Sequence, residues 1–83
     1  MNQVVRVKLF AAAKQVAGAE CVELTLPEDA KVSDARAALL AQFPALAGMG
    51  RLLLFAVNGD YAGDEAVIPS GAEVACIPPV SGG

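Results

Sequence analysis

Few residue types in this chain can do chemistry. It contains no histidine, which removes the usual general base and the commonest neutral metal ligand. The two cysteines, Cys21 and Cys76, lie far apart and form no CxxC pair, so one chain cannot build a four-ligand zinc or iron–sulfur site. No nucleophile–base pair and no phosphate-binding glycine loop is present. There remains the carboxyl terminus. The chain ends Pro78-Pro79-Val80-Ser81-Gly82-Gly83. Prolines fix their own φ and cannot donate to a sheet ladder, so they stop pairing and project the last residues outward. The four residues after Pro79 span about 13 Å when extended. Two of them, Gly82 and Gly83, have no side chain, so this end can thread a narrow channel and leave the Gly83 carboxyl free to react. A terminal Gly-Gly alone closes many inert chains. Rigid prolines ahead of a slim end are the more specific pattern.

The elements that must position this end are few. With 83 residues the chain makes one domain, residues 1–83, with 78–83 expected as a protruding tail. Hydrophobic residues make up 55% of the sequence. That exceeds what one small core needs, and the surplus points to an apolar surface patch of the kind partners cover. The formal net charge is −3 and the six basic residues are scattered, so a nucleic-acid-binding stripe is not expected. Residues 4–19 are apolar, but Arg6, Lys8 and Lys14 interrupt them and leave no signal-peptide core. Glu20 directly before Cys21 spoils a lipoprotein-like cleavage site. No stretch is long enough to span a membrane. A soluble cytoplasmic protein with two free thiols is the expectation.

Val5, Val7 and Leu9 alternate with Val4, Arg6, Lys8 and Phe10 and predict a first strand. Ala11 to Ala17 predict a short helix, which Gly18 ends in the left-handed conformation. Val22, Leu24 and Leu26 form the core face of a second strand, stopped by Pro27. The main helix opens at Val32-Ser33-Asp34 with Ser33 as N-cap, and Pro44 sets its end. Ala35, Ala38, Leu39 and Phe43 make its apolar stripe, a core feature and no site. Pro44 to Gly50 reads as a loop and Leu52 to Val57 as a strand. Asn58-Gly59-Asp60 is a turn. Ala66-Val67-Ile68 is a short strand or a turn-flanking segment, Pro69-Ser70-Gly71 a further turn, and Glu73 to Ile77 the last strand. One helix across one face of a mixed sheet is an α+β architecture, the β-grasp or ubiquitin-like arrangement.

The apolar surplus identifies partner-facing candidates near the tail: Phe10, Ile77 and Val80, with Tyr61 beyond the Asn58 turn. Large apolar residues also complete cores, and that alternative stands for Phe10 and Ile77. Cys76 invites a sulfur-relay reading from its nearness to the tail, but strand cysteines mostly act as small buried hydrophobes. Its alternation puts it with Val74, away from Ala75 and Ile77. Cys21 shares the exposed face of Glu23 and Thr25, with nothing nearby to activate it.

The run Ile77-Pro78-Pro79-Val80-Ser81-Gly82-Gly83 closely resembles the terminal signature of molybdopterin synthase small subunits. Val7-Lys8-Leu9-Phe10-Ala11 with Lys14 to Gly18 resembles that family's first strand and helix, and Phe55-Ala56-Val57-Asn58 its "AVN" strand end. Ser70-Gly71-Ala72-Glu73-Val74-Ala75 is similar to its "DGDEVA" turn, with Ser and Ala where aspartates are common, a change expected only in an exposed turn. The likeness covers essentially the whole chain. It implies a sulfur carrier that binds no cofactor itself. An E1-like activating enzyme would use ATP to adenylate the Gly83 carboxylate, because a free carboxylate is a poor electrophile. Sulfur from a sulfur-donor protein's persulfide would then replace the adenylate, leaving a thiocarboxylate. Gly82, with Pro78, Pro79, Val80 and Ser81, would lead that group into the molybdopterin synthase large subunit, where it sulfurates a cyclic pterin precursor. The family assembles as a heterotetramer, and the chain alone would be non-catalytic. Three alternatives stand beside this. One is a carrier for thiamine thiazole synthesis, which shares the fold and the Gly-Gly end. Another is a ubiquitin-like modifier conjugated through Gly83 to lysines. The last is an interaction module with an inert tail. Two cysteines are too few for a ferredoxin-like β-grasp.

Overall fold

A computed structural model of the chain describes residues 1–79. The first strand, β1 (Asn2–Leu9), buries Val5, Val7 and Leu9 and exposes the residues between them from Val4 onward, as period-two alternation requires. Helix α1 (Ala11–Ala17) comes next and ends at Gly18, whose φ of 73° is the left-handed value that glycine reaches without penalty. The chain then returns as β2 (Cys21–Pro27), antiparallel to β1, with Val7 opposite Val22 and Val5 opposite Leu24. These three elements match the sequence expectation closely.

Helix α2 (Val32–Gln42) buries Val32, Ala35 and Leu39 completely. It starts two residues earlier than Ser33 as N-cap would allow. Asp34 decides this: its carboxylate accepts the backbone N–H of Lys31 at 2.8 Å, which makes Lys31 the capping position. The first free N–H groups of the helix are met by another loop, Val32 donating to the Ala66 carbonyl (2.9 Å) and Ser33 to that of Asp64 (3.0 Å). The segment Pro44–Leu52, expected as a loop, forms a 3₁₀ helix with Pro44 near its start and Leu46 fully buried. It is fastened by Arg36 of α2. That guanidinium donates to the carbonyls of Gly50 (2.6 Å) and Leu53 (2.8 Å) and to the Asp64 carboxylate (2.8 Å), and lies 5.0 Å from the centre of the Phe55 ring.

The expected strand from Leu52 is shorter: β3 is Leu54–Val57, because Leu52 still belongs to the 3₁₀ helix. Asn58 (φ 52°) and Gly59 (φ 87°) then turn the chain into β4 (Asp60–Ala62), a strand not anticipated. Two successive positive φ values are what a tight primed hairpin needs. Residues 66–68 contribute only an isolated bridge between Lys31 and Val67, although Ile68 is buried. The last strand, β5 (Val74–Ile77), starts one residue after Glu73. Glu73 and Asn58 are instead joined to each other. The Asn58 N–H donates to the Glu73 carbonyl (2.7 Å), and the Glu73 N–H donates to the Asn58 side-chain oxygen (3.0 Å); their neighbours Val57 and Val74 pair in the ladder.

The sheet order is β2-β1-β5-β3-β4, with β1 and β5 parallel and the other pairs antiparallel. Its inner face, with α2 and the 3₁₀ helix against it, holds one core of Val7, Leu24, Leu39, Leu46, Leu53, Phe55, Ile68, Val74 and their neighbours. A mixed sheet with the main helix on one face is the β-grasp arrangement expected from the element order.

Candidate functional site

The parallel pairing of β1 with β5 determines where the tail begins. β5 lies inside the sheet, between β1 and β3, and delivers Ile77 to the edge where β1 ends. Phe10, still extended at φ −122°, donates its N–H to the Cys76 carbonyl at 3.3 Å. Leu54 of β3 sits directly opposite Ile77. Pro78 is buried and Pro79 exposed, so the chain leaves the domain surface at Pro79. Val80, Ser81, Gly82 and Gly83, the reactive end expected from the sequence, lie outside the described residues.

The face of the sheet turned away from α2 surrounds this departure point. The register places its outward residues in rows across the strands. One row runs Phe10, Ile77, Leu54, since Leu9 is level with Cys76 and Leu54 is opposite Ile77. The next runs Lys8, Ala75, Ala56, Tyr61. Phe10 is 46% exposed, Leu54 50% and Tyr61 70%, while Ile77 is half-buried. Phe10 and Tyr61 therefore do not complete the core. With Leu54 they form an apolar band beside the tail root, consistent in place with the surplus of hydrophobic residues. Leu54 escaped the sequence reading because the run from Leu52 to Val57 is continuously apolar and hides its alternation. The signal was there: counting from the aromatic core residue Phe55, a one-residue step leaves Leu54 outward. Val16, Leu52 and Val67 are also exposed but belong to α1, the 3₁₀ helix and the loop after β4.

Exposed ion pairs lie farther from the tail root, on and beside this face, with Val4 exposed among them. Arg6 and Glu23 approach to 3.9 Å, as do Lys8 and Glu73, and Lys14 of α1 meets Glu20 at 3.0 Å. All six side chains are largely exposed, so each pair contributes little to stability.

The cysteines separate cleanly. Cys76 is fully buried on the inner face, and burial pushes its thiol up to about 11, with Arg36 acting weakly in the opposite sense. A fully buried thiol held protonated behaves as a core side chain. Cys21 is exposed on the outer face, and both are free thiols. Among the described residues, no group of three or more His, Cys, Asp or Glu side chains converges to hold a metal. No helix there is long and apolar enough to cross a membrane.

The chain has relatives among known proteins. The model of the ThiS family matches residues 7–83. The molybdopterin synthase sulfur carrier subunit of Chlamydomonas reinhardtii is 36% identical over 81 residues, covering 95% of this chain and 98% of its own. Among solved structures, that of SAMP1 from Haloferax volcanii superposes with a TM-score of 0.82 at 34% identity, covering 96% of this chain and 99% of its own. The putative molybdopterin converting factor, subunit 1, from Pyrococcus furiosus gives a TM-score of 0.82 at 29% identity, covering 94% and 99%.

Proposed function

The chain belongs to the ThiS family, and we propose that it is the sulfur carrier of molybdopterin synthesis, with Gly83 as the residue that bears the sulfur. The observation that carries this reading is the extent of the family match, which runs through Gly83 itself. It is joined by near end-to-end similarity to a sulfur carrier subunit. In this role the protein needs no catalytic group of its own. An E1-like enzyme adenylates the terminal carboxylate with ATP, converting a poor leaving group into a good one. The terminal sulfur of a donor protein's persulfide then displaces AMP to give an acyl disulfide, and a second thiol cleaves its S–S bond, leaving a thiocarboxylate on Gly83 and a disulfide on the donor side.

The loaded tail then enters a large synthase subunit, and the apolar band of Phe10, Ile77, Leu54 and Tyr61 is the surface that subunit covers. Band and tail root are contiguous, so docking the band aims the tail. Apolar contact near the root also suits a carrier that must leave one partner for the next, because it demands no buried charge. The test is reconstitution: thiocarboxylated chain, large synthase subunit and cyclic pterin precursor should yield the dithiolene product. Failure of a verified thiocarboxylate to sulfurate the precursor would transfer the carrier to another pathway.

A second reading rests on the small archaeal modifier protein 1 of Haloferax volcanii, 38% identical over 84 residues. Here Gly83 would be conjugated to lysine amines of other proteins. Gly83-derived isopeptide remnants on cellular lysines would establish it. Their absence alongside a detectable thiocarboxylate would dismiss it.

A further inference from the structure

The tail and the apolar band leave one feature of the fold unused, the open edge of β2. In the sheet order β2 is terminal, and its seven residues (Cys21–Pro27) pair only with β1. Antiparallel ladders alternate, each bonded residue directing both its N–H and its C=O to one neighbour. Two bonds set the phase here: Leu9 N–H to the Glu20 carbonyl at 2.8 Å, and Glu28 N–H to the Met1 carbonyl at 3.1 Å. The residues that bond inward to β1 are therefore Glu20, Val22, Leu24, Leu26 and Glu28. Cys21, Glu23 and Thr25 turn their N–H and C=O groups outward, and among the described residues none of these groups meets a backbone partner. Pro27, with no N–H to offer, ends the ladder.

An open edge of this length is a template for another strand, and proteins usually blunt it with charge, proline, a bulge or a covering segment. Among the described residues β2 has no bulge or covering strand, and its only such devices are Glu23 and the terminal Pro27. Its charge instead selects an occupant. Residues 20–29 contain Glu20, Glu23, Glu28 and Asp29, all exposed, and no basic residue. Arg6 and Lys14 approach Glu23 and Glu20. Glu28 and Asp29 have no ion-pair partner among the described residues. A second copy is disfavoured, since antiparallel pairing of two β2 edges about Glu23 sets like charges face to face. We propose that the β2 edge docks an extended, lysine- or arginine-bearing segment of a partner protein, added as a sixth strand. That strand would lie three strand spacings, about 14 Å, from β5. β4 forms the opposite edge, so such a partner would leave the tail and the Leu54–Tyr61 side free for a second protein.

The experiment uses the full-length ¹⁵N-labelled chain and a short synthetic peptide alternating lysine and valine, blocked at both ends. Saturable binding with half-saturation below about 1 mM is expected, with slowed exchange at the amides of Cys21, Glu23 and Thr25. The same peptide N-methylated at alternate amides should bind at least about tenfold more weakly, since it keeps the charge and loses the ladder. Glu23→Lys should weaken the unmodified peptide at least about fivefold. Thr25→Pro removes one outward N–H while sparing the bonds to β1 and should weaken it similarly; unchanged Val22 and Leu24 amides confirm the fold. Three results would each overturn the proposal: no saturable binding, equal binding of the N-methylated peptide, or shifts centred away from β2. Self-association through β2 in sedimentation would do so as well.

Discussion

The two faces of one sheet are written with the same alternation and do different work. On the inner face Val7, Leu24, Phe55, Val74 and Cys76 close against α2 and the 3₁₀ helix, each almost wholly removed from water. On the outer face their immediate neighbours Lys8, Glu23, Leu54, Ala75 and Ile77 stay partly or largely exposed. The end next to the tail root is apolar there, with Val4 exposed at the far end of β1. The contrast separates stability from recognition residue by residue. A one-residue step along β3 passes from Phe55, a core side chain, to Leu54, the proposed partner contact, so adjacent substitutions should produce unlike defects.

Breaking the inner face should have the largest effect. Leu39 is completely buried in the C-terminal half of α2, and Leu39→Ala should cost about 2–5 kcal/mol of folding stability. Denaturant unfolding measures this. Below the unfolding transition, the rate at which the tail is loaded should be unchanged. Breaking the outer face should do the reverse. Leu54→Arg places a charge in the apolar band and should weaken binding to the large synthase subunit by roughly 2–4 kcal/mol, read by calorimetry. Its unfolding midpoint should move little, because Leu54 is already half in water.

The cysteines sharpen the comparison chemically, one on each face. A thiol-directed reagent at pH 8 should modify Cys21 quickly and Cys76 slowly. The rise of Cys76 from 9.0 to about 11 alone lowers its thiolate population about 100-fold, before steric protection is counted. Because the folded value is raised, the neutral thiol favours the fold fully below pH 9. That contribution is lost as pH rises through about 11, and Cys76→Ala should flatten the stability profile across this interval. The smallest effect belongs to the exposed ion pairs of the outer face. Arg6→Ala removes an exposed pair at 3.9 Å and should change stability by no more than about 0.5 kcal/mol by thermal unfolding.

The same physics decides how far the sequence could be read. β1, α1 and β2 were predictable nearly to the residue, because alternation is strict there and Gly18 and Pro27 punctuate it. The β-grasp arrangement and the outward position of Phe10 and Tyr61 were readable too. The 3₁₀ helix was not, since its hold is the long-range bonding of Arg36 to Gly50 and Leu53, which no local pattern announces. β4 is three residues long, too short to show a period. The start of α2 was misplaced because the nearest good capping residue, Ser33, lost to Asp34 reaching back to Lys31. Leu54 was hidden in an unbroken apolar run. The reactive end was legible only as composition, a slim terminus behind two prolines, and acquired its chemistry from likeness to a family.

That chemistry is open to one direct measurement, the intact mass of the untagged chain after incubation with ATP, its activating enzyme and a sulfur source. A gain matching one oxygen-to-sulfur exchange, located by fragmentation on Gly83, is expected. An unchanged mass, with the same enzyme shown to load another carrier, would contradict that chemistry and leave a β-grasp domain whose tail carries no sulfur.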